Sequence, residues 1–188
     1  MSFGLGSVGY VSQLQDLPKR TITRNTIMTM HDMVRRAKSD WLWIKHVAEL
    51  VSDLPSKDFL GEAKTIFNNF HDLVWKAHYI RYLKDPHQVE LVSSVWQIYS
   101  RRAADCDEMS LWYAAATGAV GFPYRFVTIA SDLSRPKDPS HVYTQIWLAQ
   151  TKENPGKWIG ADLTVKESTF GWQPPAKYPR TFWPELKY

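Results

Sequence analysis

The chain has 188 residues, 44% of them hydrophobic and 22% charged, the balance of an ordinary globular protein. Its net charge is +4, but no basic run exceeds Arg35–Arg36 or Arg101–Arg102, so the basic stripe of a nucleic-acid binder is missing. One cysteine excludes an intrachain disulfide and any multi-cysteine zinc site, and no apolar run reaches the length needed for membrane insertion.

Residues 1–24 contain three glycines and no sustained periodicity, and they lack the basic start and apolar stretch of a signal peptide. They read as an extended N-terminal arm, either disordered or laid on a partner. From Asn25 the pattern turns helical: Ile27, Met30, Val34, Ala37, Trp41, Ile44, Ala48 and Val51 alternate steps of three and four. This helical lead-in, residues 25–55, is one long helix or two that meet at the cap signal Ser39–Asp40. Pro55 ends it. Ser56 or Asp58 then caps a helix that carries Phe59, Ala63, Ile66, Phe67, Phe70, Leu73 and Val74 on one face.

Residues 79–94 predict a short strand, a turn at Asp85–Pro86 and an approach to a short helix over 94–101. A helix from Cys106 to Ala119 follows, closed by Gly118 or Gly121 with Pro123 beyond. Three strands are predicted next, over 124–130, 141–149 and 157–165, joined in succession as an antiparallel meander. The end of the chain, residues 174–188, is rich in proline and aromatics and reads as a tail that wraps the surface. Nine tryptophans, nine tyrosines and eight phenylalanines suffice for a large core, and also suit contact surfaces in an assembly. Helices, then a helix that opens on a cysteine, then antiparallel strands define an α+β order.

The single cysteine stands in Asp105–Cys106–Asp107–Glu108. A helix start offers unpaired N–H groups and the positive end of the macrodipole, both of which favour a thiolate. Asp105 is a natural cap, yet the flanking carboxylates repel a thiolate, so a cation is needed nearby, and a histidine is the usual solution. His31, His46, His71 and His78 lie in helical patterns that suit packed or solvated roles, and His87 lies in a turn. His141 differs, because it opens a strand directly after the loop 131–140. Asp162 closes the apolar run Trp158–Ala161 on the next strand, where antiparallel pairing sets it near His141 to orient the ring.

Asp-Cys-Asp-Glu before a helix, Gly121-Phe-Pro-Tyr-Arg-Phe-Val127 after it, Ser140-His-Val-Tyr143 and Trp158-Ile-Gly-Ala-Asp-Leu-Thr164 together resemble the transglutaminase-like cysteine superfamily. The resemblance covers residues 56–173 and is nearest to transglutaminase-like proteins of tailed bacteriophages. Those share a helical lead-in, a segment like Ile80–Pro86 and an end like Phe170–Pro175. Two departures stand out: Ala104 where glycine is frequent, and Leu163–Thr164 where Pro-Thr is common.

The resemblance implies a transglutaminase-like (papain-like) core and a catalytic triad of Cys106, His141 and Asp162, with no cofactor and no metal. It implies acyl transfer: Cys106 attacks an amide carbonyl, and water or a lysine amine resolves the thioester, giving hydrolysis or cross-linking. The Cys106 backbone N–H is one oxyanion donor, with Gln97 and Trp96 as side-chain candidates for another. The expected partners are a peptide or protein amide substrate and phage structural proteins, the latter through residues 1–24 and the C-terminal tail. Nucleic acid and membrane insertion are not expected. Synthesis in a bacterial host cytoplasm and a place in the virion tail or baseplate follow from the phage likeness. The competing expectation is a structural tail, baseplate or connector protein that keeps the fold without the chemistry.

Overall fold

The computed structural model describes residues 10–13, 19–86, 89–149 and 156–185. In chain order the elements are β1 (Tyr10–Gln13), α1 (Lys19–Ala37), α2 (Trp41–Val51), α3 (Phe59–Trp75), β2 (Arg81–Tyr82) and β3 (Val89–Val92). There follow α4 (Val95–Arg101), β4 (Ala103–Ala104), α5 (Cys106–Ala119), β5 (Tyr124–Ile129), β6 (His141–Leu148), β7 (Lys157–Ala161) and β8 (Arg180–Pro184).

The lead-in is two helices. Asp40 breaks it, because its carboxylate accepts from Leu42 N at 3.0 Å and Trp43 N at 3.4 Å, and so starts α2 afresh. Helix α1 begins at Lys19, ahead of Asn25, since nothing in residues 19–24 opposes a helix and Ile22 extends the stripe one turn back. Residues 10–13 of the expected arm pair antiparallel with β3 of the same chain, Tyr10 opposite Val92. Backbone hydrogen bonds supply there what apolar periodicity does not. Asp58 caps α3 through Gly61 N at 2.9 Å. His78 lies beyond the end of α3, at φ 50°, rather than in a helix, and His87 lies outside the described residues.

Helix α5 is the centre of the molecule. From Glu108 to Gly118 every side chain is buried, so it has no solvent face to reveal by periodicity. Helices α1 to α4 pack around it on one side and the sheet on the other. Phe70 stacks on Trp112 with centroids 3.9 Å apart and rings 9° from parallel, which locks α3 to α5. Gly121, at φ 96°, takes the left-handed turn that ends the helix and lets Phe122 N return to Thr117 O at 3.0 Å.

The main sheet has the order β7-β6-β5-β8, all antiparallel. The meander of three strands is as predicted. The tail is not simply a surface wrap: residues 180–184 form β8, which takes the free edge of β5, and Trp183 Nε1 donates to Thr128 Oγ1 at 3.0 Å. Strand β7 ends at Ala161 rather than 165. Asp162 turns the chain there, because its Oδ1 accepts from Thr164 N at 3.0 Å and from Thr164 Oγ1 at 2.6 Å.

Candidate active site

Asp105 caps α5 by accepting from Asp107 N at 3.0 Å and Glu108 N at 3.2 Å. Cys106 is therefore the first helical residue, with its N–H outside the helix's own ladder. Ser110 fixes this turn against the sheet: its hydroxyl reaches Cys106 O at 2.7 Å and Val142 O at 3.0 Å, and Thr144 Oγ1 donates to Ser110 O at 2.7 Å. The small hydroxyl side chains tie the helix that carries Cys106 to β6, the strand that carries His141.

His141 and Asp162 meet, with Nε2 2.7 Å from Asp162 Oδ2. Their adjacency follows from the β6–β7 register, in which Thr144 opposes Ala161. Asp162 is 1% exposed and fully engaged: one oxygen holds the ring, the other takes both donors of Thr164, and Ser168 Oγ donates to its backbone carbonyl at 2.6 Å. Thr164 performs this service with Leu163 before it. Gly160 has a packing reason as well, since a Cβ there would lie 2.7 Å from Trp172 O and 2.4 Å from Gln173 Cγ. With Nε2 spent on Asp162, Nδ1 is the nitrogen left for the thiol. Cys106 and His141 line one cavity of about 450 Å³.

The thiol's surroundings are of another kind. Cys106 Sγ donates to Asp107 Oδ1 at 3.4 Å. Burial, then the charges of Asp107 and Asp105, push the thiol well above its ordinary pKa, against a smaller opposing effect of the Val142 N–H. Burial and the neighbouring Glu108 charge push the Asp105 carboxyl up to about 8. Asp107 is also raised, by burial, by the Asp105 charge and by a side-chain hydrogen bond with Glu90 of β3, whose Oε1 accepts from Thr26 Oγ1 at 3.0 Å. Glu108 is a tether rather than a reactant: it accepts from Ser93 N at 3.0 Å and pairs with Arg101 at 2.5 Å.

Of the residues predicted from sequence, the fold brings Cys106, His141 and Asp162 to one place. Trp96 and Gln97 do not join them. The Trp96 indole N–H is given to Asp40 at 2.7 Å, and Gln97 Oε1 accepts from Ser94 N at 3.0 Å to close the capping box of α4. Neither lines the cavity. The sequence reading missed the neighbourhood of Tyr82, although that residue does not line the cavity. Strand β2 pairs in parallel with β4, Tyr82 opposite Ala104, two residues before Cys106. Burial and the charges of Cys106, Asp105, Asp107 and Asp162 push its phenol above the usual range, so it stays a neutral donor. The reading also missed Glu90, Thr26 and the α1 wall of the cavity, which lie too far away in sequence to betray contact. Among the described residues no cluster of His, Cys, Asp or Glu has the geometry to hold a metal ion.

The family model of the Transglutaminase-like superfamily matches residues 46–163, well over half of the chain, and the chain belongs to that superfamily. Among solved structures, a putative cysteine protease from Cytophaga hutchinsonii is similar at 15% identity and a TM-score of 0.44, over 64% of this chain and 36% of that one. LapG of Legionella pneumophila is similar at 15% identity and a TM-score of 0.44, over 75% of this chain and 76% of that one. The chain thus spans about a third of the Cytophaga protein. No curated protein matches the chain.

Proposed function

We propose that the protein is a cysteine acyl-transfer enzyme that opens amide bonds through a thioester on Cys106. The observation that carries this reading is the His141–Asp162 pair, 2.7 Å apart, with His141 on the same cavity as the chain's single cysteine. In this reading His141 Nδ1 takes the thiol proton as Cys106 Sγ attacks the carbonyl carbon, then returns it to the departing amine. Asp162 keeps the ring in place and steadies the imidazolium. The Cys106 N–H donates to the oxyanion. Water resolves the thioester in a peptidase or amidase, and a primary amine resolves it in a cross-linking enzyme.

A second reading is a structural protein of a phage particle that keeps the fold and has no turnover. One observation favours it: the thiol donates to Asp107 and its pKa is raised, the reverse of an armed nucleophile. An activated ester separates the two. With p-nitrophenyl acetate the enzyme reading expects a burst of p-nitrophenol, with one acetyl group on Cys106 by mass spectrometry and no burst in His141→Ala. Faster deacylation on adding a primary amine identifies transfer, and an unchanged rate identifies hydrolysis. An unacylated Cys106 in the wild type rejects the enzyme.

A further inference from the structure

Helix α1 lies outside the matched residues 46–163, yet its Ile22, Thr26 and Ile27 line the cavity that holds Cys106 and His141. This wall is built in place. Ile27, Met30 and Val34 of the same helix are buried in the core, and Thr26 is bonded to Glu90. Farther along, His31 Nδ1 lies 2.9 Å from the Tyr124 hydroxyl beneath the sheet. A helix held at so many points does not swing aside as a lid, so anything that reaches the thiol must fit beside it. Glu90, Asp105 and Asp107 face the same space, and among the described residues no lysine or arginine lines it.

We propose that helix α1 is the specificity wall of this site: Ile22 limits the size of the group that reaches Cys106, and the cavity admits neutral or cationic polypeptide residues and refuses anionic ones. The proposal deepens the acyl-transfer reading and rests on it for the word substrate. The wall itself rests on the cavity alone. Ile22 is half-buried at the cavity surface, so a larger side chain there fills space that a substrate side chain would use. An anionic residue loses its hydration on entry and meets acidic groups in place of Lys or Arg, whereas an ammonium group meets their oxygens as acceptors.

Methanethiosulfonates test this without a known substrate, since each forms a mixed disulfide with Cys106 and releases methanesulfinate. Two rate ratios are read, benzyl against methyl and ethylammonium against ethylsulfonate, each divided by the same ratio for β-mercaptoethanol. Intrinsic thiol reactivity cancels, so the ratios hold whether or not His141 activates the sulfur. At about pH 8.5, where Asp105 has lost its proton, the expected ammonium-to-sulfonate ratio is roughly tenfold or more, and Glu90→Gln lowers it. Ile22→Trp lowers the benzyl-to-methyl ratio by about tenfold, and Ile22→Ala, which demands no new space, raises it. Ile22 variants with wild-type size ratios, or a wild-type charge ratio equal to that of the free thiol, overturn the proposal. Altered ratios together with no dependence on His141 would leave the wall standing and remove the chemistry.

Discussion

The two halves of the candidate site are built in opposite ways. On the strands, both carboxylate oxygens and the carbonyl of Asp162 have partners, and the imidazole is fixed at 2.7 Å. At the helix start, Asp105, Asp107 and Glu90 share one cavity with the thiol, and burial raises Asp105, Asp107 and Cys106. The comparison shows an oriented imidazole on the same cavity as a thiol held in its protonated form. In a low-dielectric cluster the proton count is set by the group as a whole, so what arms the sulfur is the balance between His141 and these carboxylates.

Mutations on the two sides should therefore move reactivity in opposite directions. His141→Ala has the largest effect: ester acylation at Cys106 falls by about 10²–10⁴-fold, as for loss of a general base, measured by the p-nitrophenol burst. Asp162→Asn follows with a smaller loss, because the ring remains and Thr164 still has an oxygen to bond. If it cost more than His141→Ala, the strand half would not be merely orienting. Asp107→Asn acts the other way and speeds iodoacetamide alkylation near neutral pH several-fold, since it removes the acidic group that, after burial, does most to raise the thiol. A slower reaction would mean that Asp107 is needed to accept the thiol proton.

The smallest expected effect is on stability. The Asp105 carboxyl holds its proton up to about pH 8 when folded, whereas in the unfolded chain it loses it near 3.8. A raised folded pKa gives stability that is complete below the unfolded value and lost as pH rises to the folded value, here between about 4 and 8. Asp105→Asn keeps a capping oxygen and removes this loss. Its Tm should match wild type near pH 4 and exceed it near pH 8, by roughly 2–4 °C per kcal/mol regained. His31 opposes this at the acid end. Burial lowers it to about 4, so it draws stability down as pH falls from 6.5 toward 4.

The same contrast explains what could be read from the sequence. Local signals carried far: Asp40, Asp58 and Asp105 cap helices because a short carboxylate reaches N–H groups two or three residues on. The meander gave the His141–Asp162 pairing, since short connections leave few registers. Long-range partners left no mark. Nothing local links Thr26 to Glu90, 64 residues apart, or Tyr82 to Cys106. The Pro-rich tail hid β8, because Pro179 and Pro184 bracket a strand that needs only one paired edge. Trp96 and Gln97 were misplaced because proximity to the cysteine along the chain does not decide where a helix face points.

The central claim is that Cys106 and His141 act as one unit, 35 residues apart in sequence (141 − 106). Its most direct test is the rate of Cys106 alkylation by iodoacetamide as a function of pH, in wild type and in His141→Ala. Coupling predicts that the wild type retains reactivity at neutral pH through an added inflection, and that His141→Ala follows a single thiol titration displaced to higher pH by the carboxylates. Superimposable curves would contradict the account and leave a transglutaminase-like fold whose thiol and imidazole merely share a cavity.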